Sequence, residues 1–242
     1  MIKKLEFNKG ILMDSNRKTA IMAGILIIIG MVAGILSVVP SVESSDYLTE
    51  VSANKNQVLT GAFFQFTLFP IYIGFALILY PMIRKYNESL AIGFVSFRVI
   101  AGVFQIVGVI ALPIFILLSQ EYLESTPSDR LYFQTFGEVL KLGRDLANHV
   151  GVMLATGLGN LILFYILFKT KLIPRWLSSW GLIGNTLAML ASFLILFSLI
   201  EVISSHFIVL TIPLVLQEIV LAIWLIVKGF NLSVFDSNTD LE

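Results

Sequence analysis

The chain has 242 residues, 57% of them hydrophobic and 13% charged, and its 16 basic and 16 acidic side chains cancel to a formal charge of zero. Soluble domains carry roughly 25% charged residues, so an ordinary water-soluble core is excluded, and with it an overall basic field for nucleic acid. There is no cysteine, which removes disulfides, thiolate metal sites and cysteine nucleophiles and leaves His149 and His206 as the nitrogen donors for a metal.

Six apolar runs reach the ~20 residues that carry a helix across a bilayer. They are 19–39, 60–83, 89–119, 146–169, 177–200 and 207–228. The expected fold is therefore all-α, an integral membrane bundle of six helices. A cytoplasmic segment 1–18, a helical domain 19–230 and a cytoplasmic tail 231–242 divide the chain. The first run has a basic flank, but its apolar part is too long for a signal peptide and no small-residue cleavage site follows, so it reads as a retained helix. Gly30 and Gly34 within it form a GxxxG, a close-packing signal.

The connections alternate in character. "PSVESSDYLTEVSANKNQ" carries a Ser/Asp helix start and apolar Leu48, Val51 and Val58, the pattern of a short surface helix. "RKYNES" and "KTKLIPRW" are short enough to make antiparallel hairpins. "EYLESTPSDRLYFQTFGEVLKLGRDLAN" holds a turn at Thr126-Pro127 and a helix start at Ser128. Leu131, Phe136, Val139 and Leu140 then mark an amphipathic helix running into the fourth span. Basic residues set the orientation. Eleven (Lys3, Lys4, Lys9, Arg17, Lys18, Arg84, Lys85, Lys169, Lys171, Arg175 and Lys228) fall on the side of the termini, and four (Lys55, Arg130, Lys141 and Arg144) on the other. The bias places both termini in the cytoplasm and the protein in the plasma membrane.

The sixteenth basic residue, Arg98, stands inside the third run, nine residues past its start. At 1.5 Å per residue that is roughly 14 Å deep, near the middle of a ~30 Å hydrocarbon layer. An unpaired charge there costs at least ~2.5–3.5 kcal/mol, so a partner is expected. Glu218 of the sixth run, eleven residues from its other end, reaches a matching depth and is the acidic residue placed to meet it. Gly102 and Gln105 share the face of Arg98, and Gln65 lies at a similar outer depth. Asp145 and His149 are spaced i,i+4, and Thr156 and Asn160 continue that face at +7 and +11 from His149. Asn148 and Gln217 lie beside these stripes. A polar pocket among the second, third, fourth and sixth spans, open toward the outside, would gather Arg98, Glu218, Gln105, Gln65, His149, Asp145 and Asn148. Asn160 and Asn185 read as interhelical hydrogen bonders. Arg175 and Trp176, with Trp180 and Trp224, read as interfacial anchors, and Pro70 and Pro213 as kinks. Two histidines on separate segments make no metal site, and no cofactor motif is present.

Four stretches, "RKTAIMAGILIIIGMVAGILS", "LAIGFVSFRVIAGVFQIVGV", "LILFYILFKTKLIPRWLSSWGLIG" and "QEIVLAIWLIVKGFN", together resemble a bacterial family of multi-pass membrane proteins, domain of unknown function 4386 (DUF4386), from Arg17 to Asn231. The resemblance implies a six-helix membrane protein and brings no established activity. It implies that Arg98, the region of His149, the run Pro174-Arg175-Trp176, and Glu218 belong to the family's pattern. Many members carry a glutamate three residues after the arginine; here that position is Ala101, which leaves Glu218 as the partner and puts shared carboxylate chemistry in doubt.

Three functions remain open on the residues alone. The first is binding or transport of a small or lipid-like ligand, with Arg98 holding an anionic group and Glu218 keeping the empty site neutral. The second is an accessory subunit that packs on a membrane-protein partner, with the Arg98 and Glu218 charges purely structural. The third is an intramembrane enzyme using His149 and Asp145 as acid and base, with Arg98 stabilising developing negative charge.

Overall fold

The computed structural model describes residues 2–202 and 204–231, with side chains from residue 15 onward. All but the first residue of the expected tail 231–242 lies outside the described residues. The elements are α1 (Ile2–Leu36), α2 (Pro40–Glu43), α3 (Tyr47–Ala53), α4 (Lys55–Ile83), α5 (Glu88–Glu124), α6 (Arg130–Leu146), a π-helical turn (Ala147–Val152), α7 (Met153–Thr170), α8 (Arg175–Leu196) and α9 (Ser205–Val227). Among the described residues six helical stretches are long and apolar enough to cross a membrane, and α6, the π turn and α7 form one of them as a single rod.

The six rods form a ring in chain order. α1 packs on α4, α4 on α5, α5 on α7, α7 on α8 and α8 on α9, and α9 returns to α1. Short connections enforce the up-and-down path. Asn87 caps the start of α5 by accepting from the Leu90 N–H at 2.9 Å, and Lys171, in the left-handed region (φ 56°), ends α7 before Pro174 opens α8. Arg17 closes the ring at the end that carries the chain termini. Its guanidinium donates to the Leu225, Ile226 and Val227 carbonyls at 3.2, 2.6 and 3.2 Å, satisfying groups that the last turn of α9 leaves open.

Small residues set the closest helix approaches. A Cβ on Gly24 would lie 2.8 Å from the Ala222 carbonyl oxygen, and one on Gly184 would lie 3.1 Å from the Leu214 Cα, so α9 is gripped from both sides. The GxxxG of α1 does not serve this purpose. Gly34 has no neighbour within 4 Å of a would-be Cβ, and Gly30 meets only the Ile71 side chain. Outward, Ile35, Val103, Ile110, Ile183, Val209 and Ile223 are exposed, an apolar belt that a bilayer covers.

The other end carries a cap. Val39, Val42, Tyr47, Leu48 and Val51 from the first connection bury themselves against Leu112 and Phe115 of α5. Ser119 of α5 pins α3 by accepting from the Ser52 N–H at 2.9 Å and donating to the Leu48 carbonyl at 2.6 Å. The amphipathic α6 lies over this layer, tied down by Arg144, which donates to Glu43 at 2.8 Å. It starts at Arg130 rather than Ser128, because Thr126 holds the turn closed by donating to the Asp129 carboxylate at 2.6 Å.

Candidate functional site

Arg98 is 6% exposed, yet among the described residues no carboxylate oxygen comes within 4 Å of its nitrogens. Its Nη2 donates to the Asn160 side-chain oxygen of α7, whose amide donates in turn to Asn185 Oδ1 of α8 at 2.8 Å. Asn185 finishes the chain on the Gly181 carbonyl at 2.7 Å. Three aromatic rings surround the guanidinium, Phe75 at 5.1 Å, Phe94 at 5.6 Å and Tyr72 at 5.7 Å from their centroids. Guanidinium is weakly hydrated and stacks on such faces. A desolvated cation–π contact contributes ~2 kcal/mol or more, and a hydrogen bond to a charged group ~1.5–3 kcal/mol. Together these offset the insertion penalty of the charge without a direct ion pair.

Glu218 faces Arg98 across an intervening space. Both line a cavity of about 160 Å³ inside the ring, together with Leu26, Ile27, Gly30, Met31, Ile71, Tyr72, Phe75, Thr156, Asn160, Leu163, Phe164 and Leu221. The walls come from α1, α4, α5, α7 and α9, and α8 contributes from behind through Asn185. Two buried polar atoms around it lack a hydrogen-bond partner among the described residues, the Arg98 Nε and the Thr156 hydroxyl. Buried polar atoms are paired in nearly all native structures. The expected Arg98–Glu218 contact is therefore replaced by two separated charges on one cavity, because Asn160 and the aromatic cage hold the guanidinium on the α5–α7 side.

The remaining expected site residues lie elsewhere. Gln65 and Asn148 form a second polar layer, with Gln65 Nε2 donating to Asn148 Oδ1 at 3.1 Å. Gln65 is six residues from Ile71, so this layer crosses the ring interior ~9 Å from the cavity on the side of the cap. Asn148 reaches inward because α5 offers Gly108 there; a Cβ on Gly108 would sit 2.2 Å from Asn148 Oδ1. Gln105 is buried one turn of α5 before Gly108. His149 turns its Nδ1 to the Asp145 backbone carbonyl at 3.2 Å, not to the Asp145 carboxylate, and packs edge-on against Phe207 at 5.7 Å. Asp145 lies 3.5 Å from Arg144, beside the Glu43 bridge of the cap. Arg175 stacks over Phe168 at 5.2 Å, and Trp176 meets Trp180 and Trp224 at 6.5 and 6.3 Å at the end carrying the termini.

Tyr72, Thr156 and the α1 wall were not read from the sequence as site residues. Thr156 lies on a polar face counted above, and Tyr72, twelve residues into the second span, stands at about the depth of Arg98, so depth counting along α4 could have found the second. The α1 wall carries no polar signal at all.

The ring of apolar rods with a charged interior defines a polytopic membrane protein. The family match agrees with that class. Residues 22–229 match Domain of unknown function (DUF4386), and the chain belongs to this family. No curated protein and no solved structure gave a match.

Proposed function

We propose that this protein binds, within the membrane, a small molecule or the polar head of an amphipathic one, with Arg98 holding its anionic group. The observation that carries the reading is the pair of opposite charges held apart on one 160 Å³ cavity with the Arg98 Nε and Thr156 hydroxyl unpartnered. A charge pair kept only to fix helix register would close to contact, since separated charges gain little from one another while each still loses its hydration. Glu218 keeps the empty site neutral, and the apolar walls accept the hydrocarbon part of the ligand. The volume is below the ~300–1,000 Å³ of sites for drug-sized ligands, which favours a small molecule or a single head group. Both termini are assigned to the cytoplasm on the eleven-to-four basic bias, which turns the cap outward and places the protein in the plasma membrane.

A second reading makes the interior polar groups a packing device for an accessory subunit. The Arg98–Asn160–Asn185 chain favours it, since it links α5, α7 and α8. Native mass spectrometry of the protein extracted with its surrounding lipid separates the two. Ligand binding predicts a bound acidic molecule in the wild type and in Lys55→Gln, weakened in Thr156→Val and retained at least as tightly in Glu218→Gln, which removes a negative charge beside the anion. In Arg98→Gln its occupancy falls by about 10-fold or more, the value of one charged hydrogen bond. A stoichiometric protein partner, with no small molecule whose presence depends on these residues, would establish the accessory role instead.

A further inference from the structure

The end of the bundle that carries the termini holds a second concavity, separate from the cavity at Arg98. It is a groove of about 520 Å³ between the α7–α8 connection and the end of α9. Lys171 and Arg175 come from the connection and the start of α8, and Lys228 from the residue after α9. Among the described residues no acidic side chain lines it, and Trp224 and Phe230 supply its aromatic walls. The geometry is fixed by the backbone. The Asn231 N–H donates to the Leu172 carbonyl at 2.8 Å, which ties the segment after α9 to the α7–α8 connection and holds Lys228 opposite Lys171. Lys171 and Lys228 are exposed and reach no acceptor among the described residues.

A basic bias alone scatters cations along one end of a bundle. Here three cations from two separate parts of the chain converge on one groove at the membrane boundary. Trp176 is exposed beside it and meets Trp224 edge-on, as interfacial aromatics do. We infer that this groove is a phosphate site that takes the head group of an anionic phospholipid. Lys171, Lys228 and Arg175 contact the phosphate, and the acyl chains lie along the neighbouring apolar surface. Basic pockets between membrane helices recognise anionic head groups in this way.

The test uses the full chain in nanodiscs of phosphatidylcholine, with phosphatidylglycerol titrated in and bound lipid counted by native mass spectrometry. Each cation near an anionic head group is worth about fivefold in affinity. Lys171→Gln and Lys228→Gln are expected to weaken phosphatidylglycerol retention about fivefold each, and the double variant about 25-fold. Both side chains are exposed and without a partner among the described residues, so these variants keep the wild-type thermal midpoint. Lys55→Gln, the same charge change at the cap end, leaves retention unchanged. A second arm adds inorganic phosphate to phosphatidylcholine discs. Competition that removes phosphatidylglycerol at millimolar phosphate supports the phosphate site but names soluble phosphate as its source. Equal retention of phosphatidylglycerol by wild type and double variant, or equal retention of phosphatidylcholine and phosphatidylglycerol by the wild type, overturns the inference.

Discussion

Replacing Asn160 by leucine removes the acceptor of a buried guanidinium and the donor to Asn185 in one change, while keeping side-chain volume. Interhelical hydrogen bonds between neutral groups in membranes average ~0.6 kcal/mol and reach ~1.7. The bond to Arg98 is charge-assisted, and such bonds contribute ~1.5–3 kcal/mol. Asn160→Leu is therefore expected to destabilise the protein by about 2–4 kcal/mol. Asn185→Leu, which breaks only the neutral bond to Asn160 and the bond to the Gly181 carbonyl of its own helix, is expected to cost about 1 kcal/mol. The aromatic cage of Phe75, Phe94 and Tyr72 survives both changes, so neither variant leaves Arg98 bare. Equilibrium unfolding in mixed micelles, followed by helical circular dichroism, reads the two values against wild type. The reasoning fails if Asn185→Leu costs as much as Asn160→Leu, because the charge would then contribute nothing to the bond, or if both are neutral.

Further outcomes follow from single contacts. Gly108→Ala places a methyl 2.2 Å from Asn148 Oδ1 and should cost about 1–3 kcal/mol through overpacking; Asn148→Ala in the same chain should recover most of it in a thermal-shift assay. Arg17→Gln removes three bonds to the last carbonyls of α9, and amide exchange at 226–229 should quicken while exchange in α5 is unchanged. Tyr47, in α3 of the cap, has its phenol pKa pushed up, by burial first and by the Glu138 charge second. Its neutral form is the one that folding favours, so the stabilisation is complete below about pH 10 and is lost as pH rises through the higher folded value. The Tyr47 hydroxyl is buried without a partner among the described residues, so Tyr47→Phe should be neutral or stabilising by up to about 1 kcal/mol and should abolish this alkaline loss in a pH series of thermal melts.

Composition and hydropathy suffice for the number and order of the spans, because a bilayer imposes length on each one and periodicity on none. Depth was legible too. Counting residues from the span ends put Arg98 and Glu218 at one level, and both line the same cavity. Azimuth was not legible. An unbroken 3.6-residue period carries the face of Asp145 and His149 on to Thr156 and Asn160, but the π turn at 147–152 intervenes. One extra residue in a turn rotates everything beyond it by about 100°. Thr156 and Asn160 thus reach the cavity, while Asp145 and His149 stay with the cap and Phe207. The pairing of α1 with α9 was hidden for a different reason. Gly24 and Ala222 make that contact, and single small residues in apolar runs carry less signal than the GxxxG that begins six residues on. Asn160 and Asn185 were readable as interhelical bonders, but that Asn160 rather than Glu218 touches Arg98 depends on side-chain reach, which spacing does not encode.

Whether the two interior charges serve a ligand or the scaffold is settled most directly by a double-mutant cycle on stability with Arg98→Gln, Glu218→Gln and the pair. Charges held apart across a cavity predict a Glu218→Gln midpoint close to wild type, a destabilised Arg98→Gln, and a double variant no more stable than Arg98→Gln, with a coupling below ~0.5 kcal/mol. A strongly destabilised Glu218→Gln whose loss is recovered in the double variant would mean a buried structural ion pair, and the ligand-binding account would be wrong.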